Sequence, residues 1–283
     1  MIWAILTAVV FACSNLLIRY IITNTHWFTI LWWRSIASSF FLLTTTYILY
    51  TQSELVKILN SVQANPSTWL LVCLTGFLGI LGFIKAINSL PLFIVIPFTT
   101  LNLISPVASY YFLQITATGL QITGISFGIL GLTLIYYQQD TFYSSSTGWR
   151  WLILTIICWG ISYPLSQSLI QSTSPLFFAT SIELVVFTGC TLILPFKKEL
   201  RSHMMSGVMP IFKHYIILVA LLIVGVLTNG LARQHINPLA MLAFSTFSEI
   251  GLIIAGYYFF NERMSLLQRM GLIITIVASF FMF

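Results

Sequence analysis

Charge is what this chain has least of. Asp, Glu, Lys and Arg make up 6% of its 283 residues, where soluble proteins carry about 25%. With 58% hydrophobic residues and a mean hydropathy of +0.97, that deficit excludes a soluble globular domain. Cysteine is scarce too. Cys13, Cys73, Cys158 and Cys190 stand singly inside apolar runs, so neither a disulfide framework nor a CxxC metal site is expected, and each reads as a small packing residue. No basic region precedes the first apolar run, which argues against a cleaved signal peptide, and Phe11 spoils the loose lipoprotein-like box ending at Cys13. A Walker sequence is missing, as are HExxH and GxSxG; His26, His203, His214 and His235 are scattered near the borders of apolar runs. An ATP-driven pump, an intramembrane enzyme and a cofactor or metal site therefore find no support. The net charge of +6 is no nucleic-acid signal, because the basic residues cluster where apolar runs end.

What the chain has is long apolar runs. A bilayer takes roughly 20 residues of helix, and ten runs meet that need: 2–22, 28–49, 68–88, 92–113, 120–137, 149–171, 175–196, 212–231, 237–260 and 265–283. Alternating ten-residue segments are absent, which excludes a transmembrane barrel. The expected fold is an all-α membrane protein of ten transmembrane helices, embedded in a lipid bilayer. The Ser/Thr-rich stretch 138–148 reads as a linker between two five-helix units, 1–137 and 149–283.

The units repeat each other. Ile5-Leu6-Thr7 returns as Ile153-Leu154-Thr155 and Ser14 as Ser162, at an offset of 148. Pro91-Leu92, Thr99, Tyr110-Tyr111-Phe112 and Gln121-x-x-Gly124 return at 147 as Pro238-Leu239, Thr246, Tyr257-Tyr258-Phe259 and Gln268-x-x-Gly271. Five spans is an odd number, so the second unit enters the membrane from the opposite side. Inverted repeats of this kind place a substrate site at the repeat interface near the midplane and rock around it.

Two five-helix repeats resemble the ten-helix EamA-type transporters of the drug/metabolite transporter superfamily. The residues that carry the likeness are Trp159-Gly160, Arg34, Pro106 and the turn Asn261-Glu262-Arg263-Met264-Ser265 followed by Gly271, similar to the family's G-E-R-x-[ST] turn. The resemblance implies a transporter and both termini inside. It departs at Gln114, near the family's turn Glu; at Glu183, near the slot of Arg34; and at Ile253, where Pro106 would recur.

The polar residues inside the spans are the candidate site. Glu249 lies about 12 residues into its span, roughly 18 Å deep; a carboxylate there must be protonated, paired or hydrated, and marks a substrate or coupling-ion site. Asn102 is its counterpart at an offset of 147, on one face with Thr99, Pro106 and Ser109. Pro106 frees the Asn102 carbonyl, which could bind a ligand or ion, or be satisfied by neighbouring hydroxyls. Arg34 could snorkel, bind substrate or pair with Glu183, itself a second coupling candidate. Lys85 reads as snorkelling. Asn15 and, in the repeat, Trp159 and Tyr163 are candidates to face a central cavity, where the two rings would stack on a substrate or simply pack. Trp27, Trp32, Trp33, Trp149 and Trp151 read as an interfacial belt. Gly124-x-x-x-Gly128 permits close helix contact within a monomer or in a homodimer.

The expected function is secondary transport of a small polar or amphipathic metabolite, an amino acid or derivative first, by exchange or coupled to protons. A lipid-carrier flippase on the same fold is the rival. Small loops suit a bacterial inner membrane. Orientation is contested: the side without the termini holds most of the Lys and Arg, so the positive-inside rule puts the termini outside, against the family's pattern.

Overall fold

The computed structural model describes residues 2–137, 146–196, 198–203, 212–236, 251–252 and 255–281. The helices are α1 (Ile2–Asn24), α2 (Trp27–Leu49), α3 (Gln52–Ala64), α4 (Pro66–Ser89), α5 (Leu92–Thr100), α6 (Ile104–Leu113), α7 (Gly119–Tyr137), α8 (Ser146–Ser172), α9 (Pro175–Ile193), α10 (Lys198–His203), α11 (Phe212–His235) and α12 (Leu266–Phe280). Among the described residues, seven helical segments are long and apolar enough to cross a membrane, and α12 is a shorter apolar helix. The α2 helix has equal length to α1 but carries Arg34 and many hydroxyls. Helix is the only open-chain solution here, since hydrocarbon offers backbone N–H and C=O groups no other partner.

Local sequence sets the helix ends. Ser174 caps α9 by accepting from Phe177 N at 3.1 Å, with Pro175 in the first turn. Ser265 and Gln268 form a reciprocal capping box on α12, each side chain accepting from the other's backbone N–H, at 3.2 and 2.9 Å. Thr118 and Gln121 do the same before α7, at 3.3 and 2.9 Å. The turns before these boxes match as well: Gln114 and Asn261 are both left-handed, with φ of 56° and 53°. The Gln121/Gln268 repeat thus extends to backbone geometry.

Two elements differ from the sequence expectation. The span 92–113 is broken at Leu101–Leu103 into α5 and α6, because Pro106 cannot donate to the Asn102 carbonyl. That carbonyl instead accepts from Ser105 N at 2.9 Å. The second difference is α3, a helix between the second and third spans. Thr51 and Glu54 start it with a capping box, a local signal that the search for long apolar runs passes over.

The closest helix pairs are α4 with α8, α7 with α12, α1 with α11, and α2 with α9. Each joins a helix before the 138–148 segment to one after it. Small residues allow this. A Cβ on Gly131 would lie 2.7 Å from the Gly271 carbonyl oxygen, and one on Gly271 would lie 2.6 Å from that of Gly131, so α7 and α12 cross backbone to backbone. Gly79 makes room for Trp159 where α4 meets α8, and Gly225 makes room for Phe11 where α1 meets α11. Phe11 and Trp159 stand 148 positions apart. The hydroxyls follow suit: Thr7 donates to Thr228 of α11 at 2.9 Å, and Thr155 donates to the Gly79 carbonyl of α4 at 3.3 Å. Trp32 is in the core against Phe187, not in an interfacial belt. Its neighbours Phe28 and Phe187 cover it with more apolar surface than an interface position offers.

Candidate functional site

A cavity of about 260 Å³ lies between the two halves, walled by α1, α2, α4, α5, α8, α9 and α11. It receives Phe11, Asn15 and Ile18 from α1, and Trp159, Ser162, Tyr163 and Ser166 from α8. Spacings of three and four keep each set on one helix face. The rings of Trp159 and Tyr163 stack at 5.6 Å, and Phe83 leans on Trp159 at 5.0 Å. These groups make an aromatic wall of the chamber.

Among the described residues, three charged ones line the chamber: Arg34, Glu183 and Arg233. Arg34 and Glu183 meet at 2.5 Å, and Ser38 donates to the second carboxylate oxygen at 2.7 Å. They are 4% and 3% exposed. A buried carboxylate with both oxygens engaged, beside a guanidinium, is a neutral unit whose desolvation is offset by its own attraction. Of the readings open for Arg34, pairing with Glu183 is the one present.

In sequence Arg233 is one of the basic residues near the end of an apolar run. It is 9% exposed and points into the chamber from the last turn of α11. It donates to the Asn229 side-chain oxygen, to the Tyr163 carbonyl at 2.9 Å and to the Ser166 hydroxyl. Its guanidinium carbon lies 4.7 Å from the Tyr163 ring centre. Sequence offered one signal, Asn229 a helical turn earlier. Neither Tyr163 nor Ser166, some 70 positions away, could be paired with it by spacing.

Asn15, Arg34, Trp159, Tyr163 and Glu183 therefore come together at one chamber. Asn102 is fully buried beside it but does not line it. Its amide donates to the Ile156 carbonyl of α8 at 3.1 Å, and its side-chain oxygen presses on the space beside Gly160. This bond ties the helix break to α8, while the side-chain oxygen meets no donor among the described residues. Glu249 lies outside the described residues. The Lys85 ammonium sits over the rings of Trp27 and Trp151, 4.4 and 3.9 Å from their centres, where two aromatic faces attract a cation.

The chamber's two ends differ. Its lining reaches Ala4 at the start of α1, Ile170 near the end of α8 and Arg233 near the end of α11. At the other end it stops at Ile18. There Arg19 donates to the Ile87 carbonyl and stands 3.4 Å from Glu262, which accepts from Leu92 N at 2.9 Å. Burial pushes the Glu262 carboxyl up, while the Leu92 N–H and Arg19 pull it back. This latch ties α1, the α4–α5 junction and the turn before α12 together. On the opposite end the equivalent position, 148 residues on, is Gln167, which donates to the Ile236 carbonyl at 3.1 Å and lines the chamber.

Residues 1–137 match the model of the EamA-like transporter family, part of the drug/metabolite transporter superfamily. The comparison with curated proteins found no match. Of the residues that carry the resemblance, Arg34 and Pro106 lie inside the matched stretch, while Trp159-Gly160 and the Asn261-Glu262-Arg263-Met264-Ser265 turn lie outside it.

Proposed function

Starting from the family of its first half, we propose that this protein is a secondary transporter for a small polar or amphipathic metabolite, an amino acid or amino-acid derivative first, working by alternating access. Ten spans in two inverted five-helix repeats are the architecture of this reading. The repeated turns at Gln114 and Asn261 and the repeated contacts Phe11–Gly225 and Trp159–Gly79 support it. So does the pairing of helices across the halves, which puts the chamber at the interface around which inverted repeats alternate access.

The observation that carries the function is the chamber between the halves, latched by Arg19 and Glu262 at one end and reaching the helix termini at the other. A neutral packing void has no reason to be latched by a charge at one end. Glu249 is the favoured coupling group, since Glu183 already has both oxygens engaged. Both termini lie on one side of a bacterial inner membrane in this reading.

Counterflow uptake in proteoliposomes, against labelled amino acids, their derivatives and nucleosides, tests it. Saturable uptake of one class is expected. No uptake by folded protein overturns the reading and moves the assignment to a lipid-carrier flippase, tested by loss of envelope lipids on deletion.

A further inference from the structure

Among the described residues, the chamber holds one cation more than its neutral pair explains. Arg34 and Glu183 cancel, leaving Arg233 as the third charged lining residue among them. Its contacts among the described residues are all neutral oxygens: the Asn229 amide, the Tyr163 carbonyl and the Ser166 hydroxyl. Those acceptors satisfy N–H groups and aim the guanidinium, but they do not neutralise it. A full charge held at low dielectric by neutral dipoles keeps an unmet attraction for an anion.

The surroundings limit which anion fits. One guanidinium presents a planar fork of five donors, matched to the two oxygens of a carboxylate. Nε and Nη1 make the hydrogen bonds just named, and among the described residues no acceptor meets Nη2. The Tyr163 ring lies under the guanidinium and continues into the stacked Trp159. An anion held at Arg233 thus has its body laid along aromatic and aliphatic wall, with Phe11 opposite. Multiply charged phosphates would find a single cation and an apolar lining.

We infer that Arg233 is the anchor for a substrate carboxylate, and that the transported class is amphipathic carboxylates, held by Arg233 at the charged end and by Trp159 and Tyr163 along the apolar body. The inference rests on the transporter reading and names the end of the substrate that the chamber holds. It replaces Arg34, which is bound to Glu183, as the recognising arginine. Arg233 is set near the end of the chamber that reaches the helix termini, where it meets the substrate first. Nη2 donates to the carboxylate while Nε and Nη1 keep the guanidinium aimed, a division of donors that a lysine ammonium reproduces only in part.

The test pairs acids with their neutral forms. Purified protein is assayed for binding, and proteoliposomes for counterflow, with labelled amino acids and N-acetyl amino acids, each beside its own carboxamide. Acids are expected to bind and their carboxamides not. R233Q is expected to weaken acid binding about 30-fold, the order seen when a desolvated charge pair loses a member, and R233K to restore part of it. The preference of the unaltered protein for acid over amide stands as a test even if R233Q fails to fold. Carboxamides bound or carried as well as the acids overturn the anchor and leave transport standing. If no member of the panel is bound or carried by folded protein, both fall.

Discussion

Arg34 of α2 and Glu183 of α9 are 149 positions apart in sequence and 2.5 Å apart in space. One half supplies the cation and the other the anion of a single pair. Removing one member leaves a buried charge alone, at about 3–5 kcal/mol. Arg34→Ala is expected to lower the unfolding temperature and yield in detergent while leaving substrate affinity unchanged. A loss of affinity with normal stability would make Arg34 a substrate ligand.

Glu249→Gln is expected to abolish or uncouple transport with expression intact, because a carboxylate that deep in an apolar run is retained for a purpose. Uptake as a function of pH is the measurement. A normal pH dependence in the variant would dismiss Glu249 as the coupling group.

Glu262→Gln is expected to loosen the latched end. The variant keeps an acceptor for Leu92 N but loses the ion pair with Arg19. A cysteine placed at Ile18, where the chamber stops, should then become reactive to an impermeant thiol reagent from the Glu262 side. The pH effect has a definite sign. Burial raises the folded pKa above the ordinary 4.5, so this group's contribution to stability is full below 4.5 and is lost as pH rises through the folded value. The glutamine variant should flatten that slope.

Glu54 behaves oppositely. It is exposed in the capping box of α3, and its hydrogen bonds from Thr51 lower its pKa below 4.5. The folded form favours the carboxylate, so its contribution is present above 4.5 and is lost as pH falls through the folded value. Thermal unfolding from pH 6 to about pH 3, a range set by ordinary carboxylate titration, should show less acid sensitivity in Glu54→Gln than in the parent.

Gly131→Ala and Gly271→Ala are each expected to destabilise by about 1–3 kcal/mol, the usual result of overpacking. Each Cβ would strike the partner's carbonyl, at 2.7 and 2.6 Å. Gly119→Ala, with open space around its Cβ, is the control and should be neutral. Equal unfolding temperatures for all three would place the α7–α12 crossing elsewhere.

By itself, the sequence determined the membrane class and the positions of most of the long helices among the described residues. Lipid makes this legible: a spanning helix needs its apolar residues in one unbroken run, and capping signals such as Ser265-x-x-Gln268 act within four residues. The tertiary structure alone decided what the polar residues do. The amide of Asn102 donates to α8, the ammonium of Lys85 sits over two tryptophans, and Arg233, near the end of an apolar run, enters the chamber. Each answer depends on a partner 50 to 150 positions away. In an apolar bundle a buried polar group must find one of the few complementary groups present, and which one it reaches is set by how the helices pack, not by its neighbours in the chain.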